Sequence, residues 1–299
     1  MSDPRWPTAA DWLAAGSPSA TADLALLGVP SHRTSISPTR ADTTPEAVRR
    51  HLGRLSTWSL SRRLDLSELV AADHGDVADP DEEDGVGEQR TRAAAALAVE
   101  SSTLLIALGG DNSATHPVMA GACGDALAVS AGLVTLDAHH DFREGRSNGT
   151  PVRLLVDAGL DPRRVVQVGI ADWANSRSYY DEVIERGITV ITLANVRERG
   201  IAACVADALA LAGAAGGPVH VDLDLDVCDR GVAPACPASL PGGLSAAEAL
   251  EAAYLAGRDA RVTSIDITEV DAMRDMHDER TVRLAAMCVL EAAAGLASR

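Results

Sequence analysis

Short, wholly apolar runs alternate along this chain with alanine-rich segments whose hydrophobic positions recur at helical spacing. Runs without polar alternation belong to strands covered on both faces, and the periodic segments between them to the covering helices. The pattern predicts strands at 23–28, 103–108, 132–136, 164–169, 187–193, 219–224 and 262–267. It predicts helices at 45–55, 88–101, 115–123, 151–158, 176–186, 201–214, 245–256 and 279–297. Thr44-Pro45-Glu46 opens the first of these with a capping hydroxyl, a proline in the first turn and an early acid. Residues 76–88, dense in Asp, Glu and Gly, read as a solvated loop, and no internal repeat is visible. Strand and helix alternating in this way describe an α/β fold with a parallel sheet.

Three of the apolar runs end in metal-ligand side chains. The run at 103–108 leads into Gly109-Gly110-Asp111-Asn112-Ser113, the run at 132–136 into Asp137-Ala138-His139-His140-Asp141, and the run at 218–221 into Asp222-Leu223-Asp224-Leu225-Asp226. A carboxylate at the end of a buried strand is costly unless a positive charge neutralises it. In parallel sheets the ligand site lies beyond the carboxyl ends of the strands, where all three clusters fall. A divalent metal centre answers both points. Asp137, His139 and Asp141 stand at i, i+2 and i+4; they can converge from a turning backbone but could not share one face of a helix. Asp224 and Asp226 repeat the i, i+2 spacing. Carboxylate oxygens with one imidazole suit manganese better than zinc.

Composition narrows the partners. The 299 residues can bury a large core, and no segment reads as a dividing linker, so one domain is expected with 1–20 as an N-terminal extension. A formal net charge of -17 argues against nucleic acid and against an anionic membrane surface. It leaves room for an acidic small molecule read by local arginines. All 26 basic residues are arginine, which removes Schiff-base chemistry and a phosphate-loop lysine. The five cysteines show no CxxC spacing and read as reduced. No apolar leader or membrane-length run is present, and a cytoplasmic protein is expected.

GGDNS, DAHHD and DLDVCDRGVAP, followed by Asp266-Ile267-Thr268-Glu269-Val270, resemble in order and spacing the four signatures of the ureohydrolases, the arginase and agmatinase superfamily. The resemblance implies a three-layer α/β/α sandwich, a mainly parallel sheet of about eight strands, a binuclear manganese centre and frequent homo-oligomers. By position, Asp137 and Asp224 would bridge the two metals, Asn112 and Asp141 would face the first, and His139 and Asp226 the second. The family usually has histidine where this chain has Asn112. An amide oxygen is a weaker donor, so two manganese ions are expected and one tightly bound ion is the alternative. His116 is a substitute ligand to consider, while Asp222 and His140 read as groups that tune or pack.

Two metals in such a site supply a hydroxide at neutral pH, aimed at an amidine or guanidine carbon. The resemblance gives Glu269 the substrate's cationic nitrogens and lets Asp141 relay a proton to the leaving amine. The loop from Asp141 through Arg143 and Asn148 to Pro151 lacks the histidine of arginases and agmatinases and is more similar to the formimidoylglutamase branch. A substrate with two carboxylates needs cationic readers; Arg143 is the best placed, Arg146, Arg153 and Arg177 less so, and Asn148 is carried as a substrate-binding residue. The expected reaction is hydrolysis of N-formimidoyl-L-glutamate to glutamate and formamide, in histidine degradation. The alternatives are another ureohydrolase acting on guanidinobutyrate, agmatine or a guanidino acid, and a weakened ligand-binding relative in which Asn112 has cost the first metal.

Overall fold

The computed structural model describes residues 5–18 and 20–299. Eight strands form its main sheet: β1 (Ala22–Val29), β2 (Ala71–Asp76), β3 (Ser102–Gly109), β4 (Gly132–Leu136), β5 (Val165–Ile170), β6 (Thr189–Thr192), β7 (Val219–Asp224) and β8 (Val262–Thr268). Their order across the sheet is β2-β1-β3-β8-β7-β4-β5-β6, and every neighbouring pair is parallel.

The unbroken apolar runs have a simple cause. Successive strand residues point to opposite faces, and both faces are covered. Leu24, Leu26, Leu104 and Ile106 join one cluster with residues of the helices Thr44–Leu52, Ile201–Ala212, Ala246–Arg258 and Arg280–Leu296. Their chain neighbours Ala25, Leu27, Leu105 and Ala107 join another with the helices Val86–Glu100 and Thr115–Cys123. Farther along that face, Leu133 and Val165 meet Val152, Leu155 and Val183 of the helices Pro151–Asp157 and Arg177–Arg186. The result is the expected three-layer α/β/α sandwich.

All seven expected strands and all eight expected helices are present; 132–136, 219–224 and 115–123 keep their expected ends and the others shift. Within the main sheet the strand that periodicity missed is β2, whose sequence Ala-Ala-Asp-His-Gly-Asp is half polar; the short antiparallel pair Trp58–Ser59 and Leu64–Asp65 was missed as well. β2 lies at the sheet edge, where Arg49 reaches across to Asp73 at 2.7 Å and also contacts Asp76. Of the segment 1–20, residues 1–4 and 19 lie outside the described residues. Within it the helix Ala9–Ala14 buries Ala9, Trp12 and Leu13 in the largest cluster, and Trp12 Nε1 donates to Leu69 O at 2.9 Å. Among the described residues no helix is long and apolar enough to cross a membrane.

The strand order positions the site. The motif-bearing strands β3, β8, β7 and β4 are consecutive in space, and the register aligns Leu108 with Ile267, Thr268 with Asp224, and Leu223 with Leu136. Their carboxyl ends therefore stop at one level. At the exit of β3 a Cβ on Gly110 would lie 2.0 Å from the Ser31 carbonyl oxygen, so only glycine lets the chain pass there.

Candidate metal centre

Two local turns aim the acids. Asp137 Oδ1 accepts the His139 N–H at 2.6 Å and Asp224 Oδ1 accepts the Asp226 N–H at 2.7 Å, the side-chain-to-backbone turn that aspartate favours after a strand. They bring His139 Nδ1 to 3.0 Å from Asp226 Oδ2 and 3.4 Å from Asp137 Oδ1. Two triads result, Asp137-His139-Asp226 and Asp137-Asp141-Asp224, each with one ligand atom per residue and all three atoms within 4.8 Å of one another. Asp137 belongs to both. Asp141 reaches its triad from a left-handed backbone, φ 50°.

These groups are unstable as a bare set. Burial, with Asp226 nearby, pushes the Asp137 carboxyl up to about 6. Burial and neighbouring carboxylates also push Asp141 and Asp224 well above the ordinary range. Burial favours the neutral form of His139, but Asp226 and Asp137 outweigh it and raise the imidazole to about 12. The same pairing holds Asp226 low against the effect of its own burial. Asp137 Oδ2 is buried without a hydrogen-bond partner. One imidazolium cannot balance four buried carboxylates, whereas divalent cations at the two triads would engage the orphaned oxygen and remove the repulsion. Four carboxylates and one imidazole form a hard, oxygen-rich set that fits manganese.

Asn112 is brought to the site in a particular posture. Its Nδ2 donates to Asp141 Oδ2 at 2.7 Å and lies 3.5 Å from Asp222 Oδ2, while its Oδ1 accepts from Thr115 Oγ1 at 2.6 Å and Thr268 Oγ1 at 3.0 Å. As placed, it supports Asp141 as a donor. Ligation through oxygen requires the amide to turn over, after which both threonine hydroxyls could accept from its NH2. His116 does not join the cluster: its Nε2 is 3.2 Å from Arg92 Nη2 and its Nδ1 3.9 Å from Glu88 Oε2, and burial with Arg92 lowers it to about 4. His140 hydrogen-bonds Gln167 Oε1 through Nδ1 at 2.7 Å, and Gln167 Nε2 returns a bond to His140 O at 2.8 Å. That exchange braces the DAHHD turn. Asp222 is buried opposite Asp266 in the β7–β8 register, its carboxyl raised by burial and by Asp266.

Above the triads lies a cavity of about 390 Å³ with Asp141, Asp224, Asp226 and Glu269 among its lining residues. Glu269 has φ 63° and is 4% exposed. Its Oε1 accepts the Asn112 N–H at 2.8 Å and Asn148 Nδ2 at 2.7 Å, and burial with Asp111 and Asp226 raises it to about 8. Asn148 also accepts the Ile36 N–H at 2.9 Å, so it aims Glu269 while lining the cavity. Arg143 lines the wall, and among the described residues no ion pair engages it. The other candidate arginines are engaged: Arg146 with Glu88, Arg153 with Glu182 at 2.8 Å, and Arg177 with Asp181 at 3.4 Å. Tyr179, Ser176 and Ser37 complete the wall. No pattern in the sequence marks Tyr179 or Ser37, because what recruits them is proximity across elements.

The same arrangement has relatives. A formimidoylglutamase from Halalkalibacterium halodurans is 35% identical over 276 residues, covering 89% of this chain and 84% of that protein. The crystal structure of a Bacillus subtilis formimidoylglutamase superimposes with a TM-score of 0.91 at 26% identity, over 99% of this chain and 94% of the other. A Trypanosoma cruzi formiminoglutamase structure with manganese shares the fold, with a TM-score of 0.86 at 24% identity over 98% of this chain and 99% of that one. The Arginase family model matches residues 22–295, a span that holds all four of the strand ends described above. The matched span takes in every strand whose end meets at one level of the sheet, and this chain belongs to the Arginase family.

Proposed function

We propose that this protein hydrolyses N-formimidoyl-L-glutamate to L-glutamate and formamide with two manganese ions, one at each triad. The observation that carries the substrate choice is Arg143, which lines the wall of a cavity whose floor is anionic and has no carboxylate partner among the described residues. A substrate with a cationic amidine at one end and carboxylates at the other matches that polarity, and the formimidoylglutamase relatives support it. A neutral-tailed amine would gain nothing from Arg143.

Asp137, His139 and Asp226 would hold one ion, and Asp137, Asp141 and Asp224 the other, with Asn112 beside Asp141. The pair supplies Lewis acidity that makes water a nucleophile at neutral pH. Glu269, steadied by Asn112 and Asn148, accepts hydrogen bonds from the amidine nitrogens and so orients the carbon. Arg143 takes a substrate carboxylate through its fork. A C–O bond forms at the amidine carbon and its bond to the glutamate nitrogen breaks. Asp141, beside the departing nitrogen, carries a proton to the amine. The whole chain acts as one catalytic unit, and this reading includes a cytoplasmic homo-oligomer.

The test is a rate assay of manganese-loaded protein with formimidoylglutamate beside guanidinobutyrate, agmatine and other guanidino acids. Formamide release from formimidoylglutamate is expected. Urea from a guanidino compound as the only product overturns the substrate, and absence of manganese binding overturns the centre.

A further inference from the structure

Asp141 is the one triad member in left-handed backbone, a conformation that a side chain normally resists. Beyond the brace of His140 by Gln167, one residue twelve positions on holds the turn by its carbonyls. The Arg153 N–H donates to Asp141 O at 3.3 Å. Its Nε donates to Phe142 O and to Arg143 O, both at 2.9 Å, and its Nη2 to Phe142 O at 2.7 Å. Three consecutive carbonyls are thus taken by one arginine. The outer edge of the guanidinium is fixed in turn by Glu182, at 3.0 Å and 2.8 Å, from the helix Arg177–Arg186. The ring of Phe142, the only phenylalanine in the chain, is buried, with the Arg153 Cζ 4.4 Å and the Arg186 Cζ 5.1 Å from its centroid. Arg186 also pairs with Glu182 at 2.8 Å.

We propose that Arg153 is a positioning residue: its guanidinium clamps the carbonyls of Phe142 and Arg143, next to the Asp141 carbonyl that its backbone N–H takes, and thereby holds the metal-facing carboxylate of Asp141 and the substrate-facing side chain of Arg143 in working geometry. Arg153 lies outside the cavity lining, so it acts through these neighbours. The planar fork is essential, because an ammonium is a point charge that cannot satisfy two carbonyls and both oxygens of Glu182 at once. The clamp predicts an asymmetric effect. Only the Asp137-Asp141-Asp224 triad depends on the turn; the Asp137-His139-Asp226 triad is set by the two aspartate turns of β4 and β7.

This inference rests on the proposed two-metal reading, and the experiment separates the two. Manganese is titrated into chelated full-length protein by calorimetry and followed by electron paramagnetic resonance, in the unmodified chain, Arg153→Lys, Arg153→Ala and Glu182→Gln. Arg163→Lys, at an exposed arginine paired with Asp161, is the control. In Arg153→Lys one manganese is expected to weaken about 10- to 100-fold while the other keeps its affinity, the usual scale for losing a partner that orients a ligand. Glu182→Gln is expected to lose less, and millimolar guanidinium ion to restore the weakened site in Arg153→Ala. Two unchanged affinities overturn the clamp, as does equal weakening of both sites with no guanidinium rescue. If the unmodified chain binds no manganese, the two-metal centre falls and the clamp with it.

Discussion

Glu269→Gln is expected to make this protein more stable and less active. The amide preserves the shape of the side chain, and its oxygen can still accept the Asn112 N–H and Asn148 Nδ2 that the carboxylate accepts at 2.8 Å and 2.7 Å. What it removes is the charge that faces the cavity. A hydrogen bond to a charged group contributes about 1.5–3 kcal/mol, so kcat/KM for an amidinium substrate is expected to fall roughly 10- to 150-fold. The stability effect has the opposite sign. Burial raises the Glu269 carboxyl from its ordinary 4.5 to about 8. For an acid raised in this way, the stabilising contribution is complete below 4.5 and is lost as pH rises toward 8. Keeping the group protonated in chelated protein at pH 7 costs about 3 kcal/mol, and a neutral glutamine escapes that cost. The chelated variant is therefore expected to melt about 5 °C above the unmodified protein at pH 7, on the scale of about 1.6 °C per kcal/mol for a chain of this length, with the gain vanishing near pH 4.5. Calorimetric melting across that range, paired with initial rates of the manganese-loaded enzymes, checks both halves. A variant that melts no higher than the unmodified chain at pH 7, or that keeps its kcat/KM, refutes the reasoning.

Asp224→Asn is expected to drop manganese below two per chain and kcat/KM by roughly 10³-fold, the scale of several kcal/mol of transition-state stabilisation; metal analysis beside the rate assay decides it. Arg143→Met is expected to raise KM for formimidoylglutamate about 10- to 100-fold, the worth of one bidentate charge-assisted pair, while a formamidine without carboxylates shows no change; equal losses on both substrates would count against carboxylate reading. Manganese is expected to raise the melting temperature more at pH 7 than at pH 5. Asp137 titrates near 6 in the chelated protein, so protons compete with the metal below that value, whereas the chelated chain alone loses this group's contribution as pH climbs from 3.8 through 6. A manganese-induced shift that stays flat across that range would place Asp137 outside the metal site.

Local periodicity and spacing already contained much of this protein. Apolar runs of strand length, buried on both faces, read as strands because the sheet is parallel and covered, and the i, i+2 acids at 137–141 and 224–226 read as ligands because such turns converge. The limits were equally physical. β2 was illegible because an edge strand keeps polar positions that look like loop. The placing of Asn112, donor to Asp141 and acceptor from two threonines, depends on residues up to 156 positions away. Arg143, Arg146, Arg153 and Arg177 look alike in sequence; only the packing of the helix Arg177–Arg186 and the reach of Glu88 divide the engaged ones from the one left facing the cavity. The chain by itself determined which strands form and which side chains can bind a cation, since both follow from short-range order. Tertiary structure alone decided that β3, β8, β7 and β4 lie side by side, and so which acids meet, because strand neighbours are chosen by the burial of whole faces and leave no mark in any single segment.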